Sequence, residues 1–455
     1  MPVDKKIRGK YFNLCDPRAS LPPEDERNVD VDAVAADARG RNWVRVLANR
    51  IELSDRPVCE LFTGLPGSGK STELLRLAAR LRKSKLLPVV IDAEKTLDIH
   101  NEIDVPDVLM AILAETEQAV LELEGRDPDE ALRDSAPRRF WNWLTMTEGS
   151  LKTIELNAGG DVGTAGVGKA SVGGKVVLDM KTRPTLREQV RKTLADHVTT
   201  FVGQIREALT ELDKRAQDAG QDGLVVIFDS LEKLQGSTAD WGKVLDSAEQ
   251  VFSKRRAQIE LPVHVLYTIP MALILRMRLP VTLLPMLKLQ DKAGHRAGGF
   301  EVAREIVRRR VPDDVLDLYF GAADREARVA RLITWSGGYP REIVRLLQSC
   351  VAERELNERI FASILSMAGD EYRRTVLGSA HPLLARLHVD KPDQLLQAEG
   401  DRETVDRLLQ NSVILGYLNG ELWYDIHPAV REIPGVSGEV DRLRAAAAAA
   451  SGAGG

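Results

Sequence analysis

Three glycines, a lysine and two adjacent hydroxyls fall within one short stretch, Gly64-Leu65-Pro66-Gly67-Ser68-Gly69-Lys70-Ser71-Thr72. Its spacing is G-x-x-x-x-G-K-[S/T] at every fixed position. Without side chains at Gly64, Gly67 and Gly69 the backbone can curl until successive N–H groups face one anion. A helix N-terminus at that point adds a dipole that favours negative charge. Lys70 brings a point charge within reach of β- and γ-phosphates, and the Ser71 hydroxyl can ligate Mg²⁺. The chemistry these residues could do is the gripping of a nucleoside triphosphate.

A phosphate grip needs partners for its metal and for the attacking water. Asp229 closes the apolar run Leu224-Val225-Val226-Ile227-Phe228 and would hold Mg²⁺ through a water, unless it only caps the next helix. Three residues on, Glu232 is placed to orient or deprotonate water, the bland alternative being a solvated helix residue. Thr268 ends a further run, Val263 to Ile269; its hydroxyl would touch the γ-phosphate or cap the strand end. Arg341 opens a helix after Gly337-Gly338-Tyr339-Pro340 and would swing onto the γ-phosphate or lie exposed.

These positions imply their scaffold. Val58 to Thr63 reads as a buried strand before the glycine loop, and Glu73 to Leu81 as the helix after it. Leu86 to Glu94, Leu224 to Asp229, Val263 to Pro270 and Val281 to Leu289 read as four more strands, and Val105 to Leu123 and Pro184 to Ala219 as helices. The alternation predicts an α/β fold, a parallel sheet with helices on both faces. Residues 1–40 read as an irregular arm, either a solvated leader or a segment beside the adenine. Residues 41–297 form the core, with a β-hairpin insertion over 150–183. Residues 298–377 are a helical lid, 378–433 a winged helix and 434–455 a flexible tail. In the winged unit, His381–Leu387, Pro392–Gln397 and Arg402–Gln410 read as helices, and Asn419-Gly420 as the turn of a hairpin.

Other features carry less. Gly163 to Lys169 imitates the loop but is followed by Ala170, which has no hydroxyl for a metal. Arg138-Arg139-Phe140-Trp141-Asn142-Trp143 could stack bases, though such clusters more often belong to a core or interface. Arg308-Arg309-Arg310 reads as a solvated face or a trans arginine finger, and His264 as a core histidine. The helix Arg402–Gln410 has as many acids as bases, which weakens a DNA reading in favour of protein contact or autoinhibition.

Composition sets the outer bounds. The 455 residues carry a net charge of −5, which argues against a protein coated in basic surface. Cys15, Cys59 and Cys350 are too scattered for zinc or a disulfide framework, and the N-terminus has no apolar signal region. Prolines and charges interrupt the most apolar stretch, Leu261 to Leu289, so a membrane span is not expected. A cytoplasmic setting follows.

Together these residues resemble the STAND and AAA+ branch (ASCE type) of P-loop ATPases. The loop Gly64–Thr72 matches without departure. Asp229-Ser230-Leu231-Glu232 resembles the STAND form of Walker B, and Tyr267-Thr268-Ile269-Pro270 a sensor strand. Gly337-Gly338-Tyr339-Pro340-Arg341 resembles the lid's G-x-P motif, which implies that Pro340 lies near adenine. The resemblance implies ATP or ADP with Mg²⁺, homo-oligomers that form when ATP replaces ADP, and a role in bacterial signalling or antiviral defence. An effector would be a separate protein. Many AAA+ enzymes carry a glutamate directly after the Walker B aspartate. Ser230 stands here, which fits a slow switch better than continuous hydrolysis. The rival readings are an ATP-dependent DNA-binding protein resembling the origin-recognition ATPases and a nucleotide-binding scaffold without turnover.

Overall fold

The computed structural model describes residues 3–126, 135–147, 172–234, 241–395 and 402–452. They divide into two compact units. One comprises residues 1–44, 63–75 and 283–455; the other comprises 45–62 and 76–282.

β-branched and aromatic runs build a five-stranded sheet from β1 (Cys59–Thr63), β2 (Leu86–Asp92), β3 (Gly223–Asp229), β4 (His264–Ile269) and β5 (Thr282–Leu283). The strand order is β2-β3-β4-β1-β5. β2 pairs with β3 in parallel from Leu86 opposite Gly223 to Asp92 opposite Asp229, and β3 pairs in parallel with β4. Every residue of β3 is buried, as its unbroken apolar run requires of a strand covered on both faces. The fold is therefore α/β, and its sheet and loop are those of the P-loop class. The expected fifth strand shrinks to two residues: Leu284 N–H still reaches β1 at Thr63 O, 2.7 Å away, but the chain then leaves the sheet, Met286 donating to Gly416 O at 2.9 Å and Leu287 to Gly338 O at 3.1 Å.

In the second unit the helix Val105–Glu124 is buried almost all round, opened by an Asp104/Asp107 capping box and stopped by Gly125 in the left-handed region. Phe140 and Trp141, on the helix Ala136–Thr147, are 1% exposed, and the Trp141 indole donates to Glu117 Oε2 at 2.8 Å. Burial pushes the Glu117 carboxyl up to about 7, against the opposing pull of that hydrogen bond. Base stacking by these two rings is thus excluded; they are core. His264 likewise serves structure, accepting the Val58 N–H at Nδ1.

The hairpin expected over 150–183 lies partly outside the described residues, as does Gly163 to Lys169. Val172–Thr182, the described end, is a helix. Val176, Val177 and Met180 are buried at helical spacing against the Val105–Glu124 helix, so the alternation of small and apolar residues was a helical face. Pro184 to Ala219 is two helices, Pro184–Ala195 and Val198–Asp218.

The first unit departs from expectation at both ends. The arm is not irregular throughout: Asp4 caps a helix, Lys5–Leu14, that packs on the lid helix Pro340–Ala352. Nor is 434–455 a flexible tail over its described part, since Pro434–Gly452 is a helix whose Val436 and Val440 are buried, packed on His381–Asp390. Arg308 pairs with Asp313, Arg309 with Glu305 and the Asn28 carbonyl, and Arg310 with the Ile306 carbonyl; Arg310 is buried, so the run is not a fully solvated face. The lid helices are Gly299–Arg308, Asp313–Phe320, Arg325–Trp335, Pro340–Ala352 and Glu358–Thr375.

The winged unit has the helices His381–Asp390 and Arg402–Gln410 and the antiparallel strands β6 (Ile414–Asn419) and β7 (Glu421–Ile426). A helix over Pro392–Gln397 does not form in the described part, 392–395; the Pro392 carbonyl instead accepts the Tyr424 N–H at 2.9 Å. Asn419 faces Glu421, so the turn centres on Gly420 alone (φ +78°) rather than on an Asn-Gly pair.

Lid and winged unit meet at His427, fully buried, stacked on Tyr372 at 4.1 Å and edge-on to Trp335 at 5.3 Å. Burial, with the charges of Arg431 and Arg345, pushes its pKa from 6.5 down to about 3. The unfolded chain therefore takes up a proton that the folded chain refuses between pH 6.5 and about 3. Stability from this group is whole above pH 6.5 and falls as pH drops, by at most about 1.4 kcal/mol per pH unit. Denaturant titrations from pH 7 to 4 should show a steeper loss for the wild type than for His427→Asn, which keeps a cap for Ala429 N–H but does not titrate.

Candidate functional site

The glycine loop of the first unit leaves β1 and enters the helix Lys70–Lys83. That helix's first-turn amides have no intrahelical acceptor, as the first-turn amides of a helix do not. Gly67 (φ +83°) and Gly69 (φ +97°) take the left-handed backbone the curl requires. Lys70 is 2% exposed, and its ammonium donates to the carbonyls of Gly64 at 2.9 Å and Leu65 at 3.0 Å, folded over its own loop. The Ser68 N–H donates to Leu65 O at 3.1 Å, so that amide closes a turn rather than facing the cradle.

Two other segments of the same unit hold the loop. From the lid, the Tyr339 hydroxyl donates to Pro66 O at 2.6 Å and the Arg341 N–H to Gly67 O at 3.3 Å. A Cβ on Gly67 would stand 2.7 Å from Arg341 Cβ and Nε and 2.8 Å from Tyr339 Cε2. Burial raises the Tyr339 phenol above its ordinary pKa, so it stays a donor. From the arm, Arg39 Nη2 donates to Ser68 O at 2.6 Å, and its guanidinium lies 3.6 Å from Glu73 in the first turn of the loop helix. Both side chains are buried. Neither Arg39 nor the Tyr339 hydroxyl was singled out in the sequence. Arg39 sits in no motif; the Tyr339 phenol was hidden inside one recognised for its proline.

Asp229, Ser230, Glu232 and Thr268 belong to the second unit, where they form a tight turn at the carboxyl end of β3. Asp229 Oδ1 accepts the Ser230 N–H at 2.7 Å, and Ser230 is held at φ +68°, unusual for a residue with a side chain. The Thr268 hydroxyl accepts the Leu231 N–H at 3.0 Å and donates to Phe228 O at 3.3 Å. Thr268 therefore braces the turn that presents the acids, its strand-end role. Asp229 and Glu232 are 7% and 8% exposed. Asp92 stands beside Asp229 in the next strand and caps the short helix Ala93–Thr96. Among the described residues no group of three or more His, Cys, Asp and Glu forms a metal cage. A hard cation held by one hydroxyl, one acid, waters and phosphate needs none, which is the donor set Mg²⁺ favours.

No family model matches the chain, and no curated protein matches it in sequence. Thirty-three solved chains match in structure. Among them is the crystal structure of Cdc6p from Pyrobaculum aerophilum, 10% identical, covering 97% of this chain and 99% of that one at a TM-score of 0.32. So loose a superposition carries no argument. The class is defined by the chain's own strand order and glycine loop: an α/β P-loop nucleoside-triphosphatase fold, followed by a helical lid and a winged helix. No described helix is long and apolar enough to cross a membrane.

Gly67→Ala should lower the unfolding free energy by about 1–3 kcal/mol, adding a crowded Cβ to a left-handed backbone. Gly220→Ala is the control: Gly220 is also left-handed (φ +92°) but has nothing within 4 Å. Chemical denaturation should show the larger loss at Gly67.

Proposed function

We propose that the protein is a Mg²⁺-dependent, ATP-binding switch ATPase of the STAND-like kind, turning over slowly and controlling assembly or a separately encoded effector in bacterial signalling or antiviral defence. The observation that supports this most is the grip on the glycine loop. Arm and lid both reach it through side chains or amides, so a phosphate that reshapes the loop alters segments far from it in sequence. Gly64 to Thr72 bind the phosphates and Lys70 exchanges its loop carbonyls for phosphate oxygens. Ser71 ligates Mg²⁺, and Asp229 holds its water shell. Glu232 handles the attacking water, and Thr268, which also braces its turn, senses the γ-phosphate. Arg341, already lying across Gly67, senses the γ-phosphate, and Pro340 packs by the adenine. Cytoplasmic location and ATP-driven homo-oligomers belong to the same reading.

Slow turnover is supported by Ser230, which offers no carboxylate directly after Asp229. Protein contact by the winged unit, rather than DNA, is supported by Arg402–Gln410, where Arg407 is paired with Glu403 and Val405, Leu408 and Leu409 are buried.

Isothermal titration should find ATP affinity lower in Lys70→Ala by about 10–100-fold, the worth of a charged hydrogen-bond donor. Equal affinity would remove the site assignment. Glu232→Gln should bind ATP like the wild type but release phosphate about 10²–10⁴ times more slowly, the usual share of a general base.

A further inference from the structure

Glu73 stands in the first turn of the helix Lys70–Lys83, and the proposed function makes no use of it. It is 7% exposed, so solvent and salt screen its carboxylate little. An acid in that turn draws on the same positive helix end that a phosphate would use. A buried negative charge there opposes any anion that arrives at the loop.

Arg39 faces that charge. Its guanidinium lies 3.6 Å from Glu73 Oε1, and Nη2 donates to Ser68 O at 2.6 Å. It also passes close by Gly69, where an added Cβ would stand 3.2 Å from Nη2. What Arg39 touches is the loop and the first turn of its helix, not open solvent. The arm fixes the backbone on both sides of it. Ala38, fully buried, gives its carbonyl to Lys288 N–H at 2.9 Å. Gly40 turns the chain at φ +76° and donates to Asp37 O at 3.2 Å; a Cβ on it would meet Leu418 Cδ2 at 2.9 Å. The bond to Ser68 O then aims the guanidinium at Glu73. Burying two opposite charges costs about what their attraction returns, so stability alone is a weak reason for such a pair. Its place beside the glycine loop supplies a better one.

We propose that Arg39 is a positioning residue of the glycine loop whose charge cancels that of Glu73, so that phosphate meets the helix N-terminus and Lys70 without a buried carboxylate opposing it. Arg39 acts through Glu73 and Ser68 rather than on the ligand. The inference rests on the reading of the loop as an ATP site.

Isothermal titration of ATP into the full chain separates charge from shape. Arg39→Gln keeps a hydrogen-bond donor, leaves Glu73 charged, and should weaken ATP by about fivefold or more. Glu73→Gln leaves Arg39 charged and should tighten ATP by about twofold or more. Arg39→Gln with Glu73→Gln removes both charges and should return ATP to within about twofold of the wild type. A residue that only shaped the loop would leave the double variant no better than Arg39→Gln. That result overturns the proposal, as does unchanged ATP affinity in Arg39→Gln. Where Arg39→Gln does not fold, Glu73→Gln decides, and ATP bound no tighter than by the wild type overturns it. Lys70→Ala is titrated alongside. Undiminished ATP affinity there fails the ATP reading and this inference with it; ATP lost there but unchanged in Arg39→Gln fails this inference alone.

Discussion

Two carbonyls decide the state of the glycine loop. Pro66 O accepts the Tyr339 hydroxyl and Gly67 O accepts the Arg341 amide, and both contacts exist only because Gly67 has no side chain. The turn Gly337-Gly338 that delivers those donors is itself fixed from two directions, by Tyr417 at the Gly337 carbonyl and by Leu287 at the Gly338 carbonyl. Loop, lid and wing are thus joined by hydrogen bonds onto backbone carbonyls, two from tyrosine hydroxyls and two from backbone amides. Lys70 is folded onto Gly64 and Leu65, so in the proposed reading a phosphate would have to draw its ammonium off those two carbonyls.

The turn after β3 shows the same economy. Ser230 sits in a strained left-handed conformation, and the structure over-determines it: Asp229 takes its amide and Thr268 takes the next one. A glutamate at position 230 would have to adopt the same φ with a longer chain. Sequence and backbone agree that a small residue belongs there, and the acid three places on lies in the short helical turn that follows, Leu231–Lys233.

What could be read from the sequence was what local chemistry encodes. Strands β1 to β4 follow from unbroken apolar runs, and the loop's glycines from their spacing. What could not be read depended on partners distant in the chain. Val176, Val177 and Met180 look like alternation until the Val105–Glu124 helix is placed beneath them. Phe140 and Trp141 look like a stacking surface until Glu117 takes the indole N–H. Val281 to Leu289 has strand composition, but Leu284, Met286 and Leu287 give their amides to three separate segments. Arg39 was invisible for the same reason, since nothing within its own turn indicates that Ser68 is its partner. The candidate acids, by contrast, were legible because β3 carries them at its end.

Energy scales say how far the wing can push the loop. Each neutral hydrogen bond in the run contributes about 0.5–1.5 kcal/mol net. The bonds at Gly337, Pro66 and Gly67 together are worth roughly 3 kcal/mol on that scale, within the usual 1–3 kcal/mol of coupling between sites. Reversing a two-state population from 1:99 to 99:1 takes about 5.5 kcal/mol. In the proposed switch, contacts inside this chain would therefore bias the equilibrium but not throw it. The rest would have to come from something that binds one state better than the other, such as a γ-phosphate with its metal or a neighbouring copy. On that reading two inputs set the device at once, and a change at the wing alone would move it only part of the way.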